Sequence, residues 1–150
     1  MSGRTYFATG SIASFATAGD IVELIAPSDA SLHLLGFSVT NSTSETDDSC
    51  RIVLSRVGTS GSGGSAVTAR PRMVGDAAFG GTIEQANTTD STGNTALANY
   101  GFSTLAGLDV IFTPESQPIV SPSGALVLTT VGDLTSLTLE YTLIFTAIGG

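Results

Sequence analysis

From Leu134 to Phe145, the residues Leu134, Leu137, Leu139, Tyr141, Leu143 and Phe145 mostly alternate with serine and threonine. A period of two is the spacing of a strand with one buried face, because successive side chains leave a strand on opposite sides. Shorter runs of the same kind cover residues 20–25 (ended by Pro27), 32–39, 50–57, 65–69, 82–86, 108–112 and 125–130. In the 32–39 run, alternation places His33, Leu35, Phe37 and Val39 on one face and Leu32 and Leu34 on the other. No segment reads as a helix, since the Lys, Glu, Arg and Gln that cover exposed helix faces are scarce. Many short strands separated by Gly, Ser, Asn and Pro predict an all-β chain, a β-sandwich with jelly-roll topology. We expect one sandwich domain over residues 20–150, preceded by an extended N-terminal arm over 1–19. Tyr6, Phe7, Ile12 and Phe15 would be the arm's apolar anchors.

Charge narrows the function. Charged residues are 12% of the 150, about half the ~25% usual for soluble domains. The five basic residues are all arginine, against 13 acids, for a net charge of −8. A balance of that sign argues against nucleic acid, which needs several phosphate-neutralising cations on one face, and against anionic membrane surfaces. With 19 serines and 21 threonines, hydroxyl groups must solvate much of the exterior. Mean hydropathy is nevertheless +0.33. So few charges at that hydropathy lead us to expect that neighbouring subunits cover part of the surface. No apolar run reaches membrane-spanning length, and the first 19 residues lack the apolar core of a signal peptide. The single Cys50 excludes an internal disulfide, so synthesis in a cytosol is expected.

The chemistry-bearing residues are sparse. The GTSGSGGS stretch over 58–65 lacks both the third glycine of a dinucleotide fingerprint and the Lys-Ser/Thr of a phosphate loop, so a flexible loop is expected. Residues 87–104 are polar and read as weakly structured. Asp47 and Asp48, near Glu45, do not have calcium-loop spacing and read as a solvated turn. His33 is the only histidine, too few for a metal cluster, and sits in an alternating strand where a packed or interface role is expected. No G-x-S-x-G elbow accompanies it. Cys50 opens a strand and is expected to be an inert thiol. The absence of Trp makes sugar clefts unattractive, although two of the 13 acids meeting in a cleft would suffice for a glycosidase. Arg70-Pro71-Arg72 is the densest basic spot, on an edge strand or connector. Its arginines are expected to pair with a carboxylate such as Glu115, within the fold or across an interface.

The order of segments resembles a family. Arg51-x-x-Leu54-x-Arg56 leads into the Gly/Ser loop and Thr68-Ala69-Arg70-Pro71-Arg72. Thr113-Pro114-Glu115 follows, then Val120-Ser121-Pro122-Ser123-Gly124 before a Leu-Val-Leu strand, and a tail ending Ile148-Gly149-Gly150. Over residues 20–150 this is similar to small tailed-phage virion proteins that decorate or cement the capsid. Where that pattern carries a Trp before Thr-Pro-Glu and an acidic pair near the C-terminus, this chain has Asp109-Val110-Ile111-Phe112 and Phe145-Thr146-Ala147. The resemblance implies a homotrimer on the outer surface of the phage head, bound to the major capsid protein, made in the host bacterial cytoplasm. It implies no enzymatic role and no cofactor or metal. Tyr6, Phe7, Ile12, Phe15, Arg70, Arg72 and Glu115 are the candidate interface residues. A fibre-tip or glycan-binding sandwich is the alternative expectation.

Overall fold

The computed structural model describes residues 3–43 and 46–149, so Glu45 of the acidic loop lies outside the described residues. The strands are β1 (Arg4–Phe15), β2 (Asp20–Ile25), β3 (Ala30–Asn41), β4 (Ser49–Arg56), β5 (Ser65–Ala66), β6 (Arg70–Pro71), β7 (Thr82–Gln85), β8 (Thr95–Ser103), β9 (Leu108–Ile111), β10 (Ile119–Val120), β11 (Ala125–Val131) and β12 (Leu137–Gly149). They form two antiparallel sheets packed face to face. Sheet A runs β6-β1-β12-β3, with β9 and β10 both lying along the far edge of β3. Sheet B runs β5-β7-β2-β11-β4-β8.

The chain alternates between layers. β1, β3 and β12 belong to sheet A, whereas β2, β4 and β11 belong to sheet B. The step from β4 to its neighbour β8 stays within sheet B and takes residues 57–94 to make. That long connection adds β7 to sheet B beyond β2 and β6 to sheet A beyond β1. It therefore crosses to the opposite edge of the sandwich and returns.

The core lies between the sheets. Leu139, Tyr141, Leu143 and Phe145 of β12 point inward, as their alternation requires, and meet Leu24, Ile52, Leu54, Leu126 and Leu128 from sheet B. Rings close both ends. Phe79 and Phe145 centroids lie 4.9 Å apart with Tyr6 beside them, and Phe37 packs edge-on to Tyr100 at 5.5 Å. These separations are those at which aromatic pairs attract.

Three expectations need correction. Residues 4–15 are not an arm outside the sandwich: β1 pairs with β12 from Arg4↔Ala147 to Phe15↔Leu137, and Tyr6, Ala8, Ile12 and Phe15 are buried. An irregularity between Ile12 and Phe15, with Ser14 at φ 56°, turns both of these apolar side chains inward. Alternation also fails in β3. The register passes from Leu34↔Phe145 to Gly36↔Ile144, so Leu35 is the extra residue of a bulge. Leu32, Leu34, Phe37 and Val39 consequently all face the core, and His33, Gly36 and Ser38 face outward. Finally, residues 95–103 of the stretch read as weakly structured form β8, paired along β4.

Candidate functional site

The two outer faces of the sandwich differ. On sheet A the pairings align side chains in rows across the strands. One row runs Arg70, Phe7, Ile144, Gly36, Ile111, and the next runs Thr5, Thr146, His33, Ile119. A third runs Thr9, Thr142, Ser38, Asp109. Charge on these rows is confined to the edges, at Arg70 and Asp109. Glu140, one row further, accepts hydrogen bonds from Ser11 and Ser42 hydroxyls at 2.9 Å each. Phe7 is 38% exposed and Ile111 80% exposed. Gly36 sits between them because a Cβ there would lie 2.7 Å from the Val110 carbonyl. The face presents apolar and hydroxyl side chains, with Phe7, Ile111 and Ile119 exposed on it.

Sheet B is open only in part on its outer side, where Arg51, Asn99, Gly101 and Val131 are exposed toward the β8 edge. Val53 and Val127 point away from the core, yet they are 8% and 1% exposed. The 57–94 connection folds back over the β2 part of that side. Its two ends pair with each other at Thr59↔Thr92 and Ser62↔Thr89. Two carboxylates on β2, Asp20 and Glu23, are buried under it at 2% and 0% exposure. Asp20 accepts hydrogen bonds from the Ser91 amide (2.7 Å), the Ser91 hydroxyl (3.1 Å) and Asn87 Nδ2 (3.1 Å). Glu23 Oε2 accepts from the Gly61 amide and from Asn87 Nδ2, both at 3.1 Å. Glu23 Oε1 and Asn87 Oδ1 are buried with no hydrogen-bond partner. The Gly/Ser stretch, expected as a flexible loop, is thus a held lid. Its backbone N–H groups find acceptors on acids far away in sequence, which no local pattern reveals.

The predicted interface residues divide between interior and surface. Tyr6 is 3% exposed and donates its hydroxyl to the Ala77 carbonyl at 3.1 Å; with Ile12 and Phe15 it builds the core. Phe7, one residue along the same strand, necessarily points the other way, onto the open face. Arg70 and Arg72 are exposed on and beside β6. Glu115 is exposed in the turn between β9 and β10, where the Ser116 amide bonds the Thr113 carbonyl at 2.9 Å. An Arg70–Glu115 pair within one subunit is ruled out by topology. β6 and β9/β10 are the two opposite edges of sheet A, four strand spacings or about 19 Å apart.

Other candidate groups are tied into the fold. Asp48 accepts from the backbone N–H of Thr135 at 2.7 Å and of Ser49 at 2.9 Å, which together hold its carboxyl below the usual range. Asp47 accepts from the Ser103 hydroxyl at 3.2 Å. Cys50 is half-buried; burial pushes its thiol up, and the Asp48 charge adds to the shift. His33 stands on the outer face of sheet A between Ile119 and Thr146. Among the described residues, no three His, Cys, Asp or Glu side chains converge on a point that would hold a metal ion. No family model, curated protein or solved structure matches this chain.

Proposed function

We propose that the protein is a structural virion subunit, a decoration or cement protein that binds the outer surface of a tailed-phage head as a homotrimer. One observation carries the reading: the chain covers the β2 side of sheet B's outer face with its own 57–94 connection, whereas the outer rows of sheet A are apolar and nearly uncharged, with Phe7, Ile111 and Ile119 exposed. A face of that kind fits a protein partner rather than a polyanion. The order β1-β12-β3-β9 against β2-β11-β4-β8 reads as a jelly roll, with the two sheets filled alternately by the chain. Cementing needs no catalysis. A subunit that touches two neighbouring major capsid proteins adds contacts that shell rupture must break, and repetition over the lattice multiplies each weak one.

The test is co-sedimentation of the purified chain with heads of the phage that encodes it, stripped of this protein. We expect binding, with the heads then retaining DNA to higher temperature. Phe7→Asp should fold normally and lose the heads. Absence of co-sedimentation, binding unchanged by Phe7→Asp, or selective capture of a glycan by the sheet A face would overturn the reading.

A further inference from the structure

We infer that the two edges of sheet A bind each other between copies of this chain, head to tail. The inference rests on the self-association in the reading above, not on any shell.

At the β6 edge stand Arg70, aligned with Phe7, and Arg72, whose amide bonds the Thr5 carbonyl at 2.8 Å. Met73 and Val74 follow at 64% and 105% exposure. Asp76 lies in the same turn, so this edge keeps a positive excess of one. At the opposite edge, β9 and the turn after it carry Asp109 and Glu115 and no basic group. The exposed apolar side chains there are Ile111 and Ile119. Large apolar exposure on the described surface is therefore concentrated at these edges. Phe7, Met73 and Val74 lie at one and Ile111 and Ile119 at the other, leaving Leu97, Leu105 and Val131 elsewhere.

Each edge is apolar with a charged border, and the borders have opposite signs. Two β6 edges facing each other would oppose arginine to arginine, and two β9 edges would oppose carboxylate to carboxylate. A two-fold contact through either edge is thus disfavoured, whereas β6 against β9 matches charge and buries both apolar sets. Arginine's planar fork suits such a contact, since it meets a carboxylate through two parallel hydrogen bonds. A contact between different surfaces leaves one free edge of each kind on every growing end. It stops only when the rotation per subunit closes a ring. Arg70 and Glu115, too far apart to pair within a subunit, become partners across the ring.

Light scattering after size exclusion tests this. At about 50 mM salt the wild-type chain should elute as a discrete multiple of 15.1 kDa and shift toward monomer at about 1 M. Arg70→Glu with Arg72→Glu should weaken association by more than about tenfold, and so should Asp109→Arg with Glu115→Arg. The chain carrying all four reversals should reassemble, because both borders have changed sign together. These side chains are exposed, and circular dichroism checks that each variant is folded. An assembly that survives both double reversals overturns the edge contact while leaving self-association through another surface. A wild-type monomer at every concentration and salt overturns the edge contact as well as the homotrimer, and leaves head binding to its own experiment.

Discussion

Ser91 grips Asp20 through both carboxylate oxygens, its amide donating at 2.7 Å and its hydroxyl at 3.1 Å, although the two residues are 71 positions apart. Both are buried. Asp20→Ala would leave the Ser91 amide, the Ser91 hydroxyl and one Asn87 hydrogen without acceptors under the lid. Unsatisfied buried donors cost about 1–3 kcal/mol each before relaxation, so we expect a net loss of about 3 kcal/mol in urea unfolding. Hydrogen exchange at the Ser91 amide should rise to solvent-like rates while the β1–β12 ladder stays protected. A loss under about 1 kcal/mol would show that Asp20 does not fasten the lid.

The neighbouring acid is predicted to respond in the opposite direction. Glu23 Oε1 and Asn87 Oδ1 are both unpartnered acceptors, and their side chains are already joined through Glu23 Oε2 and Asn87 Nδ2. Glu23→Gln keeps one oxygen to accept from Gly61 and Asn87, and offers N–H donors where only acceptors stood. It also replaces a fully buried carboxyl group whose hydrogen-bond donors, among the described residues, are the neutral Gly61 amide and Asn87 Nδ2. We expect the variant to be more stable by about 1 kcal/mol, read from the urea midpoint at unchanged slope. Destabilisation beyond about 1 kcal/mol would mean that both carboxyl oxygens of Glu23 are needed there.

Asp48 links acid stability to thiol reactivity. The Thr135 N–H first, then the Ser49 N–H, lower its carboxyl in the folded chain below the ordinary value of 3.8. A depressed folded pKa means that the contribution is present above 3.8 and is lost as pH falls through the folded value. Wild type should therefore exceed Asp48→Asn in stability at pH 7, with the two converging in strong acid; a gap that is constant with pH would exclude the linkage. Cys50 is raised by burial and then by the Asp48 charge. Labelling by a disulfide reagent at pH 8 should be slow in wild type and faster in Asp48→Asn.

The strands were legible in the sequence because their periodicity is local, and the failures arise where a distant partner decides. Apolar Leu35 fits alternation with Phe37 as well as it fits a bulge, and only pairing with β12 shows that it is the extra residue. Residues 4–15 looked like an arm because small residues occupy inner positions of β1. At Gly10, a Cβ would run into the Tyr141 hydroxyl and the Gln85 amide. Composition could not order the glycine stretch, since its acceptor on Glu23 is 38 residues away. Of the adjacent pair Tyr6 and Phe7, a strand allows only one on the open face, and the sequence could not say which one. Arg70 and Glu115 stand out in the sequence by their chemistry alone, whereas their separation across sheet A required the strand order.

Gly36 offers a way to perturb one edge of sheet A without entering the core. It stands opposite Ile111 in the register, where a Cβ would lie 2.7 Å from the Val110 carbonyl and 3.4 Å from Ile111 Cα. Backbone cannot yield as a flexible side chain does, so Gly36→Ala must push β9 away from β3. Overpacking of this kind costs about 1–3 kcal/mol. The loss should be local: amide protection should fall at the β9 end of sheet A and persist at Tyr6–Ala8, where β1 and β12 pair. Because β9 carries Asp109 and Ile111, the same variant should also weaken self-association, although no charge has changed. Uniform loss of protection across both sheets would instead place β9 inside the cooperative core. Full stability with unaltered exchange would mean that β3 and β9 separate without cost.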